Sequence, residues 1–426
     1  MTFALGLLPV GLLVLGFPIF LVLLAASTVA LAFYMNLPLT AIHQNLFGSL
    51  NISGLLAVPY FILAGELMSR GTVSLRLVEF VRSFVGGLPG SLGVTTVGTA
   101  TVFGAISGSS AAAVASVGKV MHPAMTEDKY PASFSAGMIT SVSAIGIIIP
   151  PSIPMIVYGA SSETSIPRLY AAGVLPGLLL ALVLAVYIML RAQTRGFGSR
   201  TAFTWPAVGR ATGRAIWALG APVIVLGGIY GGVFSPTEAA AVACVYSIVV
   251  TRFILRELSW ADILDCAVTT VLFSAQIMVI VAAAGLFSWL LTVNQIPQTI
   301  VTWITSSEIT AFQFLIAINI LLLIWGCFMD PLAAILLLTP ILIPVVDALG
   351  IDKVHFGIVM TLNLAIGLFT PPFGINIFVA QSVLGMKARD IYTGVFPFFF
   401  VFLAVLILVT FMPGIALTSM DLFMLD

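Results

Sequence analysis

Ala144-Ile145-Gly146-Ile147-Ile148-Ile149-Pro150-Pro151 and, 221 residues further on, Ala365-Ile366-Gly367-Leu368-Phe369-Thr370-Pro371-Pro372 share one frame, Ala-Ile-Gly followed by Pro-Pro. Both lie in apolar runs where a membrane helix is expected, and both contain residues that cannot complete one. Proline has no amide hydrogen to give the carbonyl four residues back, and in lipid that carbonyl needs another partner. Pro150 and Pro151 thus release the carbonyls of Gly146 and Ile147, and Pro371 and Pro372 those of Gly367 and Leu368. Glycine as the first of each pair lets an ion reach the backbone unobstructed by a side chain. Each stretch reads as an unwound, carbonyl-rich break suited to a hard cation such as sodium. The plainer alternative is a packed kink satisfied by water or a nearby hydroxyl.

Working outward, further blocks recur at nearly the same shift. Ala64-Gly65 pairs with Ala284-Gly285, Gly104 and Ala111-Ala112 with Gly326 and Ala333-Ala334, and Pro123 with Pro344. Apolar helices rich in Gly and Pro resemble one another anywhere, but a constant offset over four blocks points to duplication. Duplicated halves with matching broken helices are the sequence signature of secondary transporters that bind near the bilayer midplane. The expected architecture is an all-α polytopic membrane protein of two inverted repeats, each with a re-entrant helical hairpin and a broken helix. The first repeat is placed at 1–190 (hairpin about 100–122, broken helix about 135–160) and the second at 215–426 (hairpin about 322–346, broken helix about 357–382).

Composition agrees. Of 426 residues, 60% are hydrophobic and only 8% charged, which fits a bilayer rather than water. Apolar runs at 3–34, 215–233, 266–293, 312–349 and 392–416 are each long enough to cross a hydrocarbon core that takes about 20 residues. No charge precedes Glu66, so the N-terminal run lacks the basic head of a secretory signal and reads as a retained span. Between 191 and 214 stand Arg191, Arg195, Arg200, Arg210 and Arg214 without an acid, an Arg-rich linker that the positive-inside rule places in the cytoplasm. Inverted repeats around it put both ends outside, consistent with a tail carrying Asp421 and Asp426 and no base. The 16 basic and 16 acidic residues cancel, which argues against nucleic acid as a partner. Cys244, Cys266 and Cys327 stand singly in apolar segments without ligand spacing and read as buried hydrophobes, with neither a transition metal nor a disulfide assigned to them; no organic cofactor is expected either.

The hairpin turns carry the polar chemistry. Gly104-Ala105-Ile106-Ser107-Gly108-Ser109-Ser110 supplies small hydroxyl residues, and its counterpart Gly326-Cys327-Phe328-Met329-Asp330-Pro331 embeds an acid in an apolar run. An ionisable group at that depth is expensive and usually functional. Asp330 reads as a cation holder, a loop-orienting group or a proton carrier, and equally as the cap of the helix that Pro331 begins. Half-helix N-termini at both turns offer amide hydrogens to an anion without a buried arginine.

These residues, with Gly227-Gly228-Ile229-Tyr230-Gly231-Gly232-Val233-Phe234-Ser235-Pro236-Thr237-Glu238-Ala239-Ala240-Ala241, resemble over essentially the whole chain the large membrane subunit of tripartite ATP-independent periplasmic (TRAP) transporters, in the ion transporter superfamily. The resemblance implies a scaffold and an elevator-type transport domain in a bacterial inner membrane. It implies sodium symport, with two or more Na+ ions, of a small organic anion such as a C4-dicarboxylate, 2-oxo acid or sugar acid. It also implies a small membrane (Q) subunit and a periplasmic substrate-binding (P) protein as partners, the surrounding lipid bilayer aside. Carried over residue by residue, one sodium site takes Gly104, Ser107 and Ser109 with Gly146, Ile149 and Pro151. The other takes Gly326 with Gly367, Thr370 and Phe373, resting on backbone because Met329 and Pro331 stand where the first half has Ser107 and Ser109. Substrate is expected near Ser109, Ser110, Ser152, Asp330 and Asn376. Glu66 and Glu238 read as structural or interfacial.

Two rival readings remain at this stage. A stand-alone Na+- or H+-coupled carboxylate permease would show the same hairpins. An intramembrane serine protease would need a histidine to activate Ser107 or Ser109, and His43, His122 and His355 sit beside expected loops or span ends, so no enzyme is expected.

Overall fold

The structure, a computed structural model, describes residues 3–35 and 40–423, which are predominantly helical with no strand among them. Asp426, invoked for the outward placement of the chain end, lies outside the described residues, as do the first two residues of the first repeat and the last three of the second. Among the described residues six helices are long and apolar enough to cross a membrane: Ile166–Arg195, Trp205–Tyr230, Pro236–Ile254, Trp260–Val293, Pro331–Ala348 and Ala388–Phe411. A seventh candidate is the pair Thr40–Gly48 and Ser53–Arg70, bent by 59°.

The shorter apolar helices occupy the places where the sequence has breaks. Ser91–Ser107 and Ser110–Glu127 form a hairpin whose turn is only Gly108 and Ser109. Gly108 ends the first arm at φ +60°, a conformation glycine adopts without a Cβ penalty, and the Ser109 hydroxyl caps the second arm by accepting from the Ala112 amide at 3.3 Å. The second hairpin joins Ala311–Gly326 to Pro331–Ala348, with Asp330 as cap and Pro331 in the first turn, where its missing amide hydrogen costs nothing. Each hairpin is followed by a broken helix. The first runs Ala132–Val142, a tight turn Ser143–Ile147, then Ile153–Ser162; the second is Lys353–Gly367 followed by Ile375–Leu384. Both Pro-Pro bonds, 150–151 and 371–372, are cis.

Packing between helices relies on small residues, as expected where lipid removes the hydrophobic drive for helix association. Gly137 and Gly394 let Ala132–Val142 and Ala388–Phe411 cross in backbone contact, a Cβ at Gly137 falling 2.0 Å from the Gly394 carbonyl carbon. The buried Asn363 donates from Nδ2 to Oδ1 of the half-buried Asn319 at 2.5 Å, a polar contact between the second broken helix and the second hairpin.

The Arg-rich segment is less of a linker than its composition indicates. Arg191 and Arg195 complete the helix Ile166–Arg195, and Arg210 and Arg214 lie in Trp205–Tyr230, so only residues 196–204 are non-helical. That short stretch is tied down: the Ser199 amide donates to Asp128 at 2.8 Å, the Thr201 amide to the Gly86 carbonyl at 2.8 Å, and Phe197 packs between Tyr130 and Phe134. Three ion pairs also join early helices to later segments, Arg70–Asp265 at 2.6 Å, Arg76–Glu257 at 2.9 Å and Glu79–Arg214 at 3.2 Å. Since Arg214 belongs to the basic segment, this belt lies on the side that the positive-inside rule assigns to the cytoplasm.

Candidate functional site

The two glycines singled out by the prolines, Gly146 and Gly367, each meet a repeat-matched hairpin glycine, Gly104 and Gly326. A Cβ placed on Gly104 would lie 2.4 Å from Gly146 Cα, and one on Gly367 would lie 2.5 Å from the Gly326 carbonyl oxygen. Each hairpin arm is therefore seated, glycine against glycine, on the break that follows it. In the first pair the turn closes further, because a Cβ on Gly108 would sit 2.8 Å from the Pro151 carbonyl oxygen. Gly104, Ser107, Ser109, Gly146 and Pro151 are thus brought together. The Ile149 side chain packs elsewhere, against Gly177, which has no Cβ to obstruct it.

The expected release of carbonyls is only partly realised. Gly146 keeps an acceptor to spare: the amide three residues on, Ile149, donates to Ile145 at 3.0 Å, and Pro150 has none to give. Ile147 does not, because the Ser152 hydroxyl donates to its carbonyl at 2.5 Å. In the second break the Gly367 carbonyl accepts from the Thr370 amide at 3.2 Å, and Leu368 from the Asn376 amide at 2.9 Å. The reading of four freed carbonyls is corrected to one. The physical reason is that a buried carbonyl left without a donor costs free energy, and the chain re-satisfies it wherever its turns allow. A carbonyl with one hydrogen bond still has a second lone pair, so these oxygens remain possible cation ligands. The Thr370 hydroxyl likewise donates to Ile366 at 2.6 Å and keeps its own acceptor capacity.

Both hairpin turns open on one cavity of about 1120 Å³, which residues of helices Ala57–Arg70 and Trp260–Val293 also line. Ser107, Ser109, Ser110, Asp330, Phe373 and Asn376 line it. Ser152 does not. Its hydroxyl caps Ile153–Ser162, accepting from Met155 at 3.4 Å while donating to Ile147, which is the local backbone role open to it from the sequence. Asp330 takes the capping role, one carboxylate oxygen accepting from the Leu332 amide at 2.8 Å, and the residue also lines the cavity. Asn376 connects the two halves, its Nδ2 donating to Ser110 Oγ at 2.6 Å and to the Thr140 carbonyl at 2.9 Å.

Sequence reasoning missed part of this wall. Glu66, read as structural, lines the cavity, and so does Gln276. The available signal for Glu66 was its position beside Gly65, a repeat-matched glycine that packs on the hairpin, a Cβ there lying 2.9 Å from Ser107 Cα. Gln276 had no such signal. Glu238 is structural, forming a capping box with Ser235, while Thr237 donates to the Ser53 carbonyl at 3.0 Å. His122 bonds Ser135 at 3.0 Å and His355 the Val409 carbonyl at 2.9 Å, so neither engages a hairpin serine. Among the described residues no group of three or more His, Cys, Asp and Glu could hold a metal ion.

Comparison with known proteins matches residues 7–415 to the family described as "Tripartite ATP-independent periplasmic transporter, DctM component". An isethionate TRAP transporter permease protein DctMQ from Oleidesulfovibrio alaskensis is 42% identical over 95% of this chain, which spans 64% of that relative's length. A C4-dicarboxylate TRAP transporter large permease protein from Pseudomonas aeruginosa is 42% identical over 85% of each chain, and an ectoine TRAP transporter large permease protein from Halomonas elongata is 40% identical over 97% of each. The fold is that of the Alcanivorax borkumensis YdaH transporter, with a TM-score of 0.64 over 96% of this chain and 98% of that one at 15% identity.

Proposed function

The chain belongs to the DctM component family of tripartite ATP-independent periplasmic transporters and is a multi-pass membrane protein, and from that premise we propose that it performs sodium-coupled uptake of a small organic acid across a bacterial inner membrane. It works with a small membrane subunit and receives cargo from a periplasmic binding protein. The observation that carries this reading is the pairing of Gly104 with Gly146 and of Gly326 with Gly367 beside one shared cavity. Two hairpin–break junctions, each rich in backbone oxygens and hydroxyls, support two sodium sites built on the residues expected for them. Sodium there would draw the hairpin turns onto the breaks and shape the wall that meets the cargo.

The two halves act as inverted repeats, and the hairpins with their broken helices move as one body against helices Ala57–Arg70 and Trp260–Val293. The cargoes in the relatives' names differ, so membership leaves the substrate open.

The test is uptake by proteoliposomes holding the chain with its small subunit. Accumulation is expected only with an inward sodium gradient and a loaded binding protein. Equal uptake by the large chain alone would favour a stand-alone permease, and uptake indifferent to sodium would refute the coupling.

A further inference from the structure

Arg252 stands near the end of the span Pro236–Ile254, and Trp260 begins the next span, with only residues 255–259 between the two helices. None of the four ion pairs among the described residues involves Arg252, and its Nε is shut off from solvent without an acceptor. The side chain as a whole is half-buried, so its charge is reached at the terminal nitrogens. The guanidinium lies 5.7 Å from the centre of the Trp260 ring, and Phe253 meets the same ring edge-on at 6.1 Å. The acids nearest in sequence are all engaged elsewhere: Glu257 by Arg76 and Thr72, Asp262 by Ser259, Asp265 by Arg70. A charge drawn partly out of water is retained where it meets an opposite one, and here the chain does not supply it.

The surroundings indicate what does. Glu257 ties this connection to the ion-pair belt on the cytoplasmic side, and Arg256, exposed and in none of those ion pairs, adds a second positive charge. From the Phe253–Trp260 contact two exposed apolar stripes run along the spans at helical spacing, Phe253, Val249 and Val245 on one and Trp260, Leu264 and Val268 on the other. Basic side chains at the inner surface attract anionic lipids, and the arginine fork matches the oxygens of a phosphate. A cation at the level of an interfacial tryptophan, with apolar helix faces leading away from it, complements an amphiphile whose head is negative.

We infer that Arg252 and Trp260 hold the head of an anionic phospholipid of the cytoplasmic leaflet, its phosphate on the guanidinium and its acyl chains along the two stripes. Bound there, the lipid fastens the end of one span to the start of Trp260–Val293, a helix that also lines the cavity. The inference depends neither on the cargo nor on sodium.

The test combines native mass spectrometry with thermal unfolding of the purified full chain in detergent. Dioleoyl phosphatidylglycerol, dioleoyl phosphatidylcholine and inorganic phosphate are added at equal concentration. Phosphatidylglycerol should stay bound and raise the midpoint above that in phosphatidylcholine, and inorganic phosphate should do neither. Arg252→Gln should weaken phosphatidylglycerol binding about tenfold, as for the loss of one hydrogen bond to a charged group. Trp260→Leu should weaken it too, whereas Arg195→Gln, which removes an exposed charge at another helix end, should not. The midpoint of each variant in phosphatidylcholine checks its folding, and if Arg252→Gln is unfolded, Trp260→Leu carries the comparison. Equal retention of the two lipids, protection by inorganic phosphate, unchanged binding in a folded Arg252→Gln or Trp260→Leu, or an equal loss in Arg195→Gln overturns the inference. So does loss of the small membrane subunit from Arg252→Gln with lipid binding intact, which would make this surface a protein interface.

Discussion

A methyl group does different damage at the two members of each glycine pair. At Gly104 it would lie 2.4 Å from Gly146 Cα and at Gly367 2.5 Å from the Gly326 carbonyl oxygen, both backbone atoms that cannot rotate aside. At Gly146 and Gly326 the nearest atom is 3.3 Å away, a contact that a few tenths of an ångström relieves. Gly104→Ala and Gly367→Ala should therefore cost about 1–3 kcal/mol of stability and separate hairpin from break. Their thermal midpoints should fall and their sodium response should weaken, whereas Gly146→Ala and Gly326→Ala should stay near wild type. Equal effects at all four positions would contradict the packing. Glu257, in the connection before Trp260, gives a pH dependence. Burial raises its carboxyl, but hydrogen bonds from the Thr72 hydroxyl, the Thr72 amide and Arg76 outweigh this and hold it below the ordinary carboxylate range. A depressed folded-state value means the stabilisation is present above the unfolded value and is lost as pH falls through the folded one. Glu257→Gln should thus lower the midpoint at neutral pH, and the gap should close on acidification below about 4. A gap that widens in acid would reverse the assignment.

Elements differ in how far the sequence discloses them. The two breaks and hairpins were legible because proline and glycine act locally: a missing amide hydrogen or a missing Cβ has the same consequence wherever the chain goes. The first arms begin well before the expected bounds, at Ser91 rather than near 100 and at Ala311 rather than near 322, because periodicity in an all-apolar run does not mark where a helix starts. What could not be read was pairing across the molecule. Ser152 and Asn376 both stand just past a Pro-Pro pair, yet Ser152 turns back on Ile147 while Asn376 reaches Ser110 and Thr140 of the other half. The place of Glu66 on the cavity wall was illegible for the same reason, since that cavity is formed by distant segments. The Asn376–Ser110 contact joins the second break directly to the first hairpin. Asn376→Ala and Ser110→Ala should each destabilise, and a double-mutant cycle should give about 1 kcal/mol of coupling for the lost hydrogen bond. Additive effects would mean that the two halves are not joined through this contact.

At the scale of the whole molecule the proposed elevator makes a demand that a static packing does not. The hairpin domain must leave the wall formed by Ala57–Arg70, and in this structure it rests there through Gly65, whose Cβ would be 3.1 Å from Ser107 Cβ. That spacing is slightly shorter than the roughly 3.5–4.5 Å of a natural disulfide, close enough for two cysteines to join with a small adjustment of the helices. Three native cysteines, Cys244, Cys266 and Cys327, are unpaired and need replacing first; the first two are buried and the third half-buried, so serine is a poor choice and alanine the better one. In that background Gly65→Cys with Ser107→Cys should form a crosslink on oxidation. Sodium-driven uptake should then stop, and reduction should restore it to the level of the unoxidised double variant, which accounts for any cost of losing the Ser107 hydroxyl. Cargo-induced stabilisation should survive the crosslink, because a locked domain can bind even though it cannot cross. Undiminished uptake by the fully crosslinked protein would show that these two surfaces never part, and a moving hairpin domain would have to be abandoned for a gate that opens within a fixed frame.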